Sequence, residues 1–424
     1  MKKEERERAL LVGVNIDYKE NFTRLMDELE NLTYACDIEV VGREIQNLPE
    51  VNKPLYLGKG KAEEIAQKVK ALDIDVVIFN NELSHTQLRN LQRILDCAIL
   101  DRTSLILEIF SKRAKTKEAK LQVEVARLEY MLPRLVGLHS SLGRQGGGSG
   151  LFNKGSGEKK LELDRRRIEE KLTELKEELE DLSKDRETQR KQREESEIPL
   201  VSLVGYTNAG KSSIMNYMID RFVKDDNKKV LEEDMLFATL ETSVRKIEIE
   251  NNRKFLLSDT VGFISELPHD LVKAFRSTLE EIKNADLLIE VIDYSDPHWD
   301  EHVKVTQETL EKIGAGEIPI VYVYNKAELV LDKLPLVDGD ELYLSVKENR
   351  GMNELIEVVT NKLFSKYKRC KMKIPFSQGS VVSYLNEHAN VMSTDYDGEG
   401  TILNVECKES QYNKYHEYVI ENMD

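Results

Sequence analysis

The sequence predicts an α/β protein with a small N-terminal α/β domain, a helical coiled-coil hairpin, a phosphate-loop domain with a mostly parallel sheet, and a small α+β appendage. Short apolar runs alternate with helical patterns near the N-terminus, and two leucine seams follow at the heptad spacing. An apolar strand then leads directly into a glycine-rich loop. From these observations we place the domain boundaries at 1–102, 103–197, 198–366 and 370–424.

The composition is typical of a globular protein with several domains. The chain has 424 residues, more than one ordinary core holds, with 40% hydrophobic and 33% charged residues. No run approaches the roughly 18 apolar residues of a membrane span, and residues 1–6 lead into no secretory segment, so we expect a cytoplasmic protein. The cysteines show no metal-type spacing and are expected to be reduced packing thiols: Cys36, Cys97, Cys370 and Cys407.

The N-terminal segment alternates predicted strands and helices, which indicates a largely parallel sheet. Strands are expected at 9–14, 38–41, 55–57 and 76–79, and helices at 21–35, 62–72 and 84–95. The turn at 58–61, Gly-Lys-Gly-Lys, stands where a strand becomes a helix; it is either an anion cradle or a tight connection.

The second segment is predicted to form an antiparallel helical hairpin with a flexible basic tip. A glycine-rich stretch at 143–150 separates two apolar seams and is not expected to continue either helix. An ordinary spacer between domains is the alternative. The seams comprise Leu121, Val125, Leu128, Leu132 and Leu135, then Ile168, Leu172, Leu175, Leu179 and Leu182.

The charge distribution is uneven along the chain. The net charge of −16 disfavours a nucleic-acid partner, yet residues 112–167 carry fourteen Lys and Arg against six Asp and Glu. Because salt confines electrostatic fields to about 8–10 Å, such a segment can bind phosphates within an acidic protein. A solvated helical surface accounts for the same charges equally well.

The third segment contains a complete phosphate loop between a strand and a helix. Lys211 is expected to reach the terminal phosphates, and the Ser212 hydroxyl to ligate Mg²⁺. Inward-facing backbone N–H groups and the positive end of the next helix complete an anion site. The strand is predicted at 199–204, and the loop is Gly205, Tyr206, Thr207, Asn208, Ala209, Gly210, Lys211 and Ser212.

Four polar segments at strand ends, in this order, predict a GTPase rather than a generic ATPase. Thr239 is expected to close over the metal, Asp259 to hold it through water, and the Gly262 N–H to meet the γ-phosphate. Downstream strands are expected at 256–258, 320–324 and 342–344. The nucleotide-facing residues after the loop are Phe237, Ala238, Thr239, Leu240, Glu241, Asp259, Thr260, Val261, Gly262, Asn325, Lys326, Glu328, Ser345, Val346 and Lys347.

Intrinsic GTP turnover is expected to be slow. Phe263 follows Gly262, where Ras-type enzymes place the glutamine that orients water, and a phenyl ring cannot orient water. Asn208 either helps to hold K⁺ beside the phosphates or only stabilises the loop turn. Glu328 offers carboxylate acceptors to the guanine ring N–H and amine, although it is one methylene longer than aspartate.

The chain to about residue 366 resembles the HflX family of translational GTPases. Its GYTNAGKS loop, its FATLE segment (FATLD in the family) and its DTVGFI segment match the family's motifs. Glu328, Val346 and Thr242 stand where the family usually has aspartate, alanine and proline, and the tip lacks the family's Thr-Arg-Gly-Pro-Gly-Glu run, which indicates a divergent member or paralogue. Matching N-terminal segments lie at 80–91, 101–103, 121–124, 144–148 and 164–167.

The resemblance implies Mg²⁺-dependent GTP hydrolysis coupled to binding the large ribosomal subunit and dissociating stalled ribosomes. Expected ligands are GTP and GDP, with ATP as an additional nucleotide. We expect ribosomal RNA but no DNA as a partner, a monomer, and at most peripheral membrane association. Two alternatives stay open: a nucleotide-gated ribosome protection or dormancy factor with negligible turnover, and a GTPase acting on tRNA modification or another RNA.

The hairpin tip is the predicted RNA contact. Its cations are expected to bind phosphates more than base edges, and Phe152 is the candidate for stacking on a base. The RNA-binding residues are Arg144, Phe152, Lys154, Arg165 and Arg166.

The final segment contains no recognisable chemical motif. It is predicted to hold a helix at 381–388, a strand at 400–407 and a helix at 411–420.

Overall fold

The computed structural model describes residues 6–16, 22–144, 154–195, 198–223, 237, 243–249, 253–265, 281–365 and 367–423. The chain divides into two compact units. The first contains the chain up to Lys184 together with Phe237 and Ser265, and the second contains the other described residues. The four predicted domain boundaries stay predictions.

The first unit is built on a parallel sheet of order β2-β1-β3-β4, which confirms the expected α/β arrangement. The two central strands, β1 and β3, are mostly buried, as expected for the interior of a parallel sheet. The elements are β1 (Arg8–Ile16), α1 (Phe22–Ala35), β2 (Glu39–Leu48), α2 (Lys59–Ala71), β3 (Val76–Phe79), α3 (His85–Leu95) and β4 (Ala98–Asp101).

The prediction of a strand at 55–57 is wrong. This stretch forms a turn in which Tyr56 has a left-handed φ of 67° and pairs with Asn52 in an isolated bridge. The Tyr56 ring packs edge-to-face on Phe79, and its hydroxyl donates to Asn81 Oδ1 at 2.6 Å. The apolar residues of this stretch therefore pack into the core of the first unit as a buried turn. The prediction failed because a short apolar run is typical of a buried turn as well as of a strand.

Two long helices confirm the leucine seams. After α4 (Arg102–Arg113), the chain forms α5 (Lys117–Arg144) and α6 (Lys154–Glu195). Ion pairs Lys117–Glu178 and Glu129–Lys176 join the helices in antiparallel order. Helix α5 includes Gly143 and Arg144, so the glycine-rich stretch does not end the helix at 143 as expected, and 145–150 lie outside the described residues. The seam packs Val125, Leu172 and Leu175 against Leu121, Leu128, Leu132, Ile168 and Leu179.

Phe237 and Ser265, although they come late in the sequence, belong to the first unit. Arg102 is 3% exposed, pairs with Glu28 at 3.0 Å, and donates from its guanidinium to the Ser265 carbonyl at 3.0 Å. Phe237 packs edge-to-face on Phe110 with a ring separation of 4.7 Å. The first unit therefore includes Phe237, which precedes the predicted metal ligand Thr239, and Ser265, which follows the predicted γ-phosphate contact Gly262.

The second unit contains a seven-stranded sheet of order β10-β11-β9-β8-β5-β7-β6. Pairing is parallel from β11 to β7 and antiparallel at both edges, which confirms the mostly parallel sheet. Its elements are β5 (Leu200–Val204), α7 (Lys211–Phe222), β6 (Ser243–Glu248), β7 (Lys254–Asp259), β8 (Leu287–Asp293), α8 (Trp299–Ile313), β9 (Ile320–Asn325), β10 (Leu336–Asp338), β11 (Glu341–Tyr343) and α9 (Met352–Phe364).

The same unit ends in an antiparallel sheet of order β13-β14-β12-β15. The helix expected at 411–420 is wrong beyond Lys414, because Val419–Asn422 pairs with β12 as an edge strand. A period of two at Cys370, Met372 and Ile374 could have revealed β12 in the sequence. The elements are β12 (Lys368–Pro375), α10 (Gly379–His388), β13 (Asn390–Tyr396), β14 (Gly400–Cys407), α11 (Glu409–Lys414) and β15 (Val419–Asn422).

Glu406 fixes this terminal sheet to the rest of the second unit. Its carboxylate accepts two hydrogen bonds from Arg253, at 2.8 and 2.7 Å, and others from Arg369 and Asn390. Burial opposes ionisation of Glu406, but these donors outweigh it and lower its pKa to about 2. The network therefore stays charged throughout the physiological pH range.

Glu290 is expected to make the free energy of unfolding depend on pH. It is fully buried on β8 between Val204 of β5 and Tyr322 of β9, and burial raises its pKa to about 8, with Thr306 opposing the shift. The folded state therefore binds one more proton than the unfolded chain between pH 4.5 and about 8. We expect the free energy of unfolding to fall as pH rises through this window, by about 5 kcal/mol in total.

Thermal unfolding of Glu290→Gln between pH 5 and 8.5 measures this effect. We expect a flatter pH profile than that of the parent and a higher midpoint at pH 8. Glu308→Gln, at an exposed position on α8, is the matched control and should follow the parent. Parallel profiles for the parent and Glu290→Gln would contradict the prediction.

Candidate nucleotide-binding site

The loop after β5 has a backbone that requires glycine at two positions. Gly205 has φ 131°, and a Cβ there would lie 2.2 Å from the Val291 carbonyl oxygen. Gly210 has φ 103°, and its Cβ would lie 2.2 Å from Asn325 Nδ2. The loop therefore lies against β8 and against the end of β9, with α7 beginning directly after it.

Lys211 is held inside the loop. Its side chain donates to the backbone carbonyls of Gly205, at 3.0 Å, and Tyr206, at 2.7 Å. Burial lowers the pKa of Lys211 to about 8, and the Asp259 carboxylate opposes that shift. A phosphate group next to this ammonium would offset the cost of its desolvation.

Ser212 and Asp259 bring two hard oxygen donors together. The Ser212 hydroxyl donates to Asp259 Oδ2 at 2.8 Å, and Asp259 is fully buried at the end of β7. Thr260 holds the adjoining backbone by donating to the Leu203 carbonyl at 2.6 Å. A hydroxyl beside a carboxylate at the phosphate loop fits Mg²⁺, which prefers oxygen ligands. Four predicted residues lie outside the described residues: Ala238, Thr239, Leu240 and Glu241.

The DTVGFI segment contacts the loop through its backbone. Thr207 N–H donates to the Phe263 carbonyl at 2.8 Å, and Phe263 N–H donates to the Gly205 carbonyl at 3.1 Å. A Cβ on Gly262 would lie 2.7 Å from Thr207 Cγ2 and 3.0 Å from Lys211 Nζ. Only glycine allows this approach, which explains the residue type at position 262.

The other end of the site is organised by Asn325. Its amide donates to the Ala209 carbonyl at 2.9 Å and accepts from the Val346 N–H at 3.2 Å, so it joins the phosphate loop to the segment after β11. Lys326 lies beside it with a left-handed φ of 59° and pairs with Asp293 at 2.7 Å. Asp293 was not among the residues predicted from the sequence, although a carboxylate at the end of the apolar run of β8 is a recognisable signal.

Glu328 has a free acceptor in this part of the site. Its Oε2 is buried and meets no hydrogen-bond donor within the described part of the chain. A buried carboxylate oxygen without a donor is costly, and a ligand N–H would satisfy it. Ser345 is fully buried nearby, and Lys347 is exposed.

A second feature missed from the sequence lies behind the loop. The Tyr206 ring stacks on the imidazole of His302, which is on α8, with centroids 3.8 Å apart. No spacing rule connects residues so distant in the sequence. The stack fixes one side of the loop.

The predicted RNA-binding residues belong to the first unit and are only partly described. Arg144 ends α5 and Lys154 begins α6, so these two residues occupy the tip ends of the two helices. Arg165 donates to Glu169 one turn later in α6 at 2.9 Å, and Arg166 is exposed. Phe152 lies outside the described residues.

Three protein-family models match the chain. They are described as GTP-binding GTPase N-terminal, over residues 23–111, GTP-binding GTPase Middle Region, over 113–193, and 50S ribosome-binding GTPase, over 200–326. In the described residues, no helix combines the length and apolarity needed to cross a membrane.

Known proteins match over most of their length. GTPase HflX of Caldanaerobacter subterraneus subsp. tengcongensis is 43% identical, covering 95% of this chain and 91% of that protein. GTPase HflX of Escherichia coli is 38% identical, covering 89% and 88%. A solved structure, the complex of SsGBP with GDP, aligns at 26% identity with a TM-score of 0.47, covering 85% and 99%. The relatives confirm the resemblance found in the sequence: the chain belongs to the HflX family of GTPases.

Proposed function

We propose that this GTPase is Mg²⁺-dependent, binds the large ribosomal subunit, and uses its nucleotide state to control ribosome association or the dissociation of stalled ribosomes. The observation that carries the proposal is one chain combining a complete phosphate loop with a long antiparallel hairpin whose tip ends in Arg144 and Lys154. The description of the matching family as 50S ribosome-binding supports the choice of partner.

Several residues at the phosphate end of the site have separate proposed roles. Lys211 would contact the terminal phosphates, while Ser212 would ligate Mg²⁺ and Asp259 would hold the metal through water. Thr239 would complete the metal site with the triphosphate bound, and the Gly262 N–H would meet the γ-phosphate. When bound, Mg²⁺ neutralises charge on the phosphates. K⁺ beside Asn208 is a second candidate cation, which would neutralise transition-state charge much as an arginine finger does.

The hairpin is proposed to contact ribosomal RNA mainly through phosphates. Arginine binds phosphate oxygens in pairs or stacks on exposed bases, and both modes tolerate the irregular surface of folded RNA. The competing functions are a protection or dormancy factor that binds the ribosome but hardly turns over, and a GTPase whose RNA target lies elsewhere.

Two measurements on the full chain separate these functions. Sedimentation with purified ribosomal subunits, under GDP or a non-hydrolysable GTP analogue, is expected to recover the protein with the large subunit in a nucleotide-dependent manner. Phosphate release over multiple turnovers is expected to rise when large subunits are added. Binding without turnover would favour the protection factor, and no binding in either nucleotide state would contradict the ribosomal proposal.

The base specificity depends on Glu328. We expect Glu328→Ala to weaken GTP binding by about 10- to 100-fold, because a charge-assisted hydrogen bond of about 1.5–3 kcal/mol is lost. Glu328→Asp restores the carboxylate and is expected to stay within about threefold of the parent. Glu348→Ala, at an exposed neighbouring position, is the matched control. Competition among GTP, ATP and xanthosine triphosphate measures the preference, and equal affinity of the parent for GTP and ATP would remove the guanine assignment.

A further inference from the structure

The phosphate loop contains a tyrosine whose ring stacks on a residue of a helix that is remote in the sequence. The rings of Tyr206 and His302 have centroids 3.8 Å apart and planes 18° from parallel. Tyr206 is 7% and His302 8% exposed, and both residues belong to the second unit. Aromatic pairs contribute free energy beyond the area that they bury. The stack is therefore a specific, buried contact on the loop.

The position of His302 is fixed near the start of α8. Its N–H donates to the His298 carbonyl at 3.4 Å, and its carbonyl accepts from the Thr306 hydroxyl at 2.9 Å. The imidazole Nε2 also lies 3.8 Å from Asp296 Oδ2, in the connection before the helix. The helix therefore presents the imidazole to the loop from a hydrogen-bonded backbone.

Tyr206 in turn contacts the ammonium that is expected to bind phosphate. Its carbonyl accepts from Lys211 Nζ at 2.7 Å, the shorter of the two contacts between this nitrogen and the loop carbonyls. The side-chain rotamer of a residue is coupled to its backbone dihedral angles. A ring stacked on His302 therefore restricts the backbone that carries this acceptor, and the effect reaches Lys211 through one residue.

We propose that His302 is a positioning residue for nucleotide binding: its imidazole holds the Tyr206 ring, and through Tyr206 it keeps Lys211 in place before the phosphates arrive. His302 acts through Tyr206 and contacts no part of the nucleotide. Its contribution is preorganisation, because a loop that is already ordered loses less conformational freedom on binding. The inference rests on the proposed contact of Lys211 with phosphate and not on ribosome binding.

The nucleotide affinity of variants without the imidazole tests the inference. His302→Leu keeps a side chain of similar bulk but removes the ring, and we expect binding of GDP and of a non-hydrolysable GTP analogue to weaken by about threefold to tenfold. His302→Gln, a polar side chain without a ring, should repeat the loss. His302→Phe restores a ring and is expected to stay within about twofold of the parent. If His302 only filled space, leucine and phenylalanine would bind nucleotide equally well.

A matched control removes a similar stack elsewhere in the same unit. His388 of α10 stacks on Tyr384 with centroids 4.4 Å apart, and His388→Leu should leave both affinities unchanged. Lys211→Ala in the same assay separates this inference from the site assignment. Parent-like affinities for His302→Leu or His302→Gln, beside a loss in Lys211→Ala, would overturn the inference and leave the site assignment standing.

The route through Tyr206 has its own test. In a Tyr206→Leu background, His302→Leu is expected to cause no further loss of affinity, because the stack is already absent. Losses that add would refute the route through the stack. In NMR spectra of the parent, the ring current of Tyr206 should shift the ring protons of His302 upfield with and without GDP, and the signal missing from His302→Gln identifies them. An unshifted His302 signal would contradict the stack and, with it, the inference.

Discussion

Lys211→Ala is expected to weaken binding of GTP and GDP by at least about 100-fold, because a charge-assisted contact to phosphate and the positive charge beside it are both lost. The structure supports a large effect because Lys211 is 6% exposed and is held at the carbonyls of the phosphate loop. Removing the ammonium leaves the negative phosphates without their only buried cation among the described loop residues. Titration with a fluorescent guanine nucleotide measures the loss.

The control and the companion variant sharpen this test. Lys304→Ala, at an exposed position on α8, removes a positive charge from the same unit and should bind like the parent. Ser212→Ala is expected to abolish the enhancement of GTP binding by Mg²⁺, because the metal loses a hydroxyl ligand. If Lys211→Ala and Ser212→Ala both bind and hydrolyse GTP normally, the site assignment is wrong.

The second large effect is expected at the hairpin tip. Replacing Arg144, Arg165 and Arg166 with alanine should lower the slope of log affinity for the large subunit against log salt by about 2–3, if each cation contacts one phosphate. At low salt this corresponds to a loss of about 100-fold or more. GTP affinity should stay unchanged, because the phosphate loop belongs to the other compact unit.

A matched triple variant distinguishes tip contacts from general charge. Three exposed lysines lie on α6, further from the tip than Arg165 and Arg166, and form ion pairs with acidic residues. They are Lys171, Lys176 and Lys184. Their replacement by alanine should leave the salt slope near that of the parent. Identical slopes for the tip variant and the parent would remove the RNA-binding role of the tip, while membership of the GTPase family would stand.

Local patterns determined most of the architecture. The strand before the phosphate loop, the two heptad seams and the alternating N-terminal elements follow from short-range periodicity, and the structure confirms all three. Helix and strand boundaries differ from the predicted ones, most clearly at β2, which continues to Leu48 rather than ending near Val41. Pattern reasoning failed at 55–57 and at 415–420, where tertiary packing decides between turn, helix and strand for a short apolar run.

The sequence by itself determined the chemistry of the site: a phosphate loop, a carboxylate and glycine after one strand, and an Asn-Lys pair after another, each recognisable from residue type and spacing. Only the tertiary structure decided which of these groups touch. The Asn325 bond to Ala209, the Tyr206 stack on His302 and the backbone pairing of Tyr206 with Phe263 all join residues distant in the chain. Such contacts depend on how parallel strands place their carboxyl ends side by side, which no local pattern encodes.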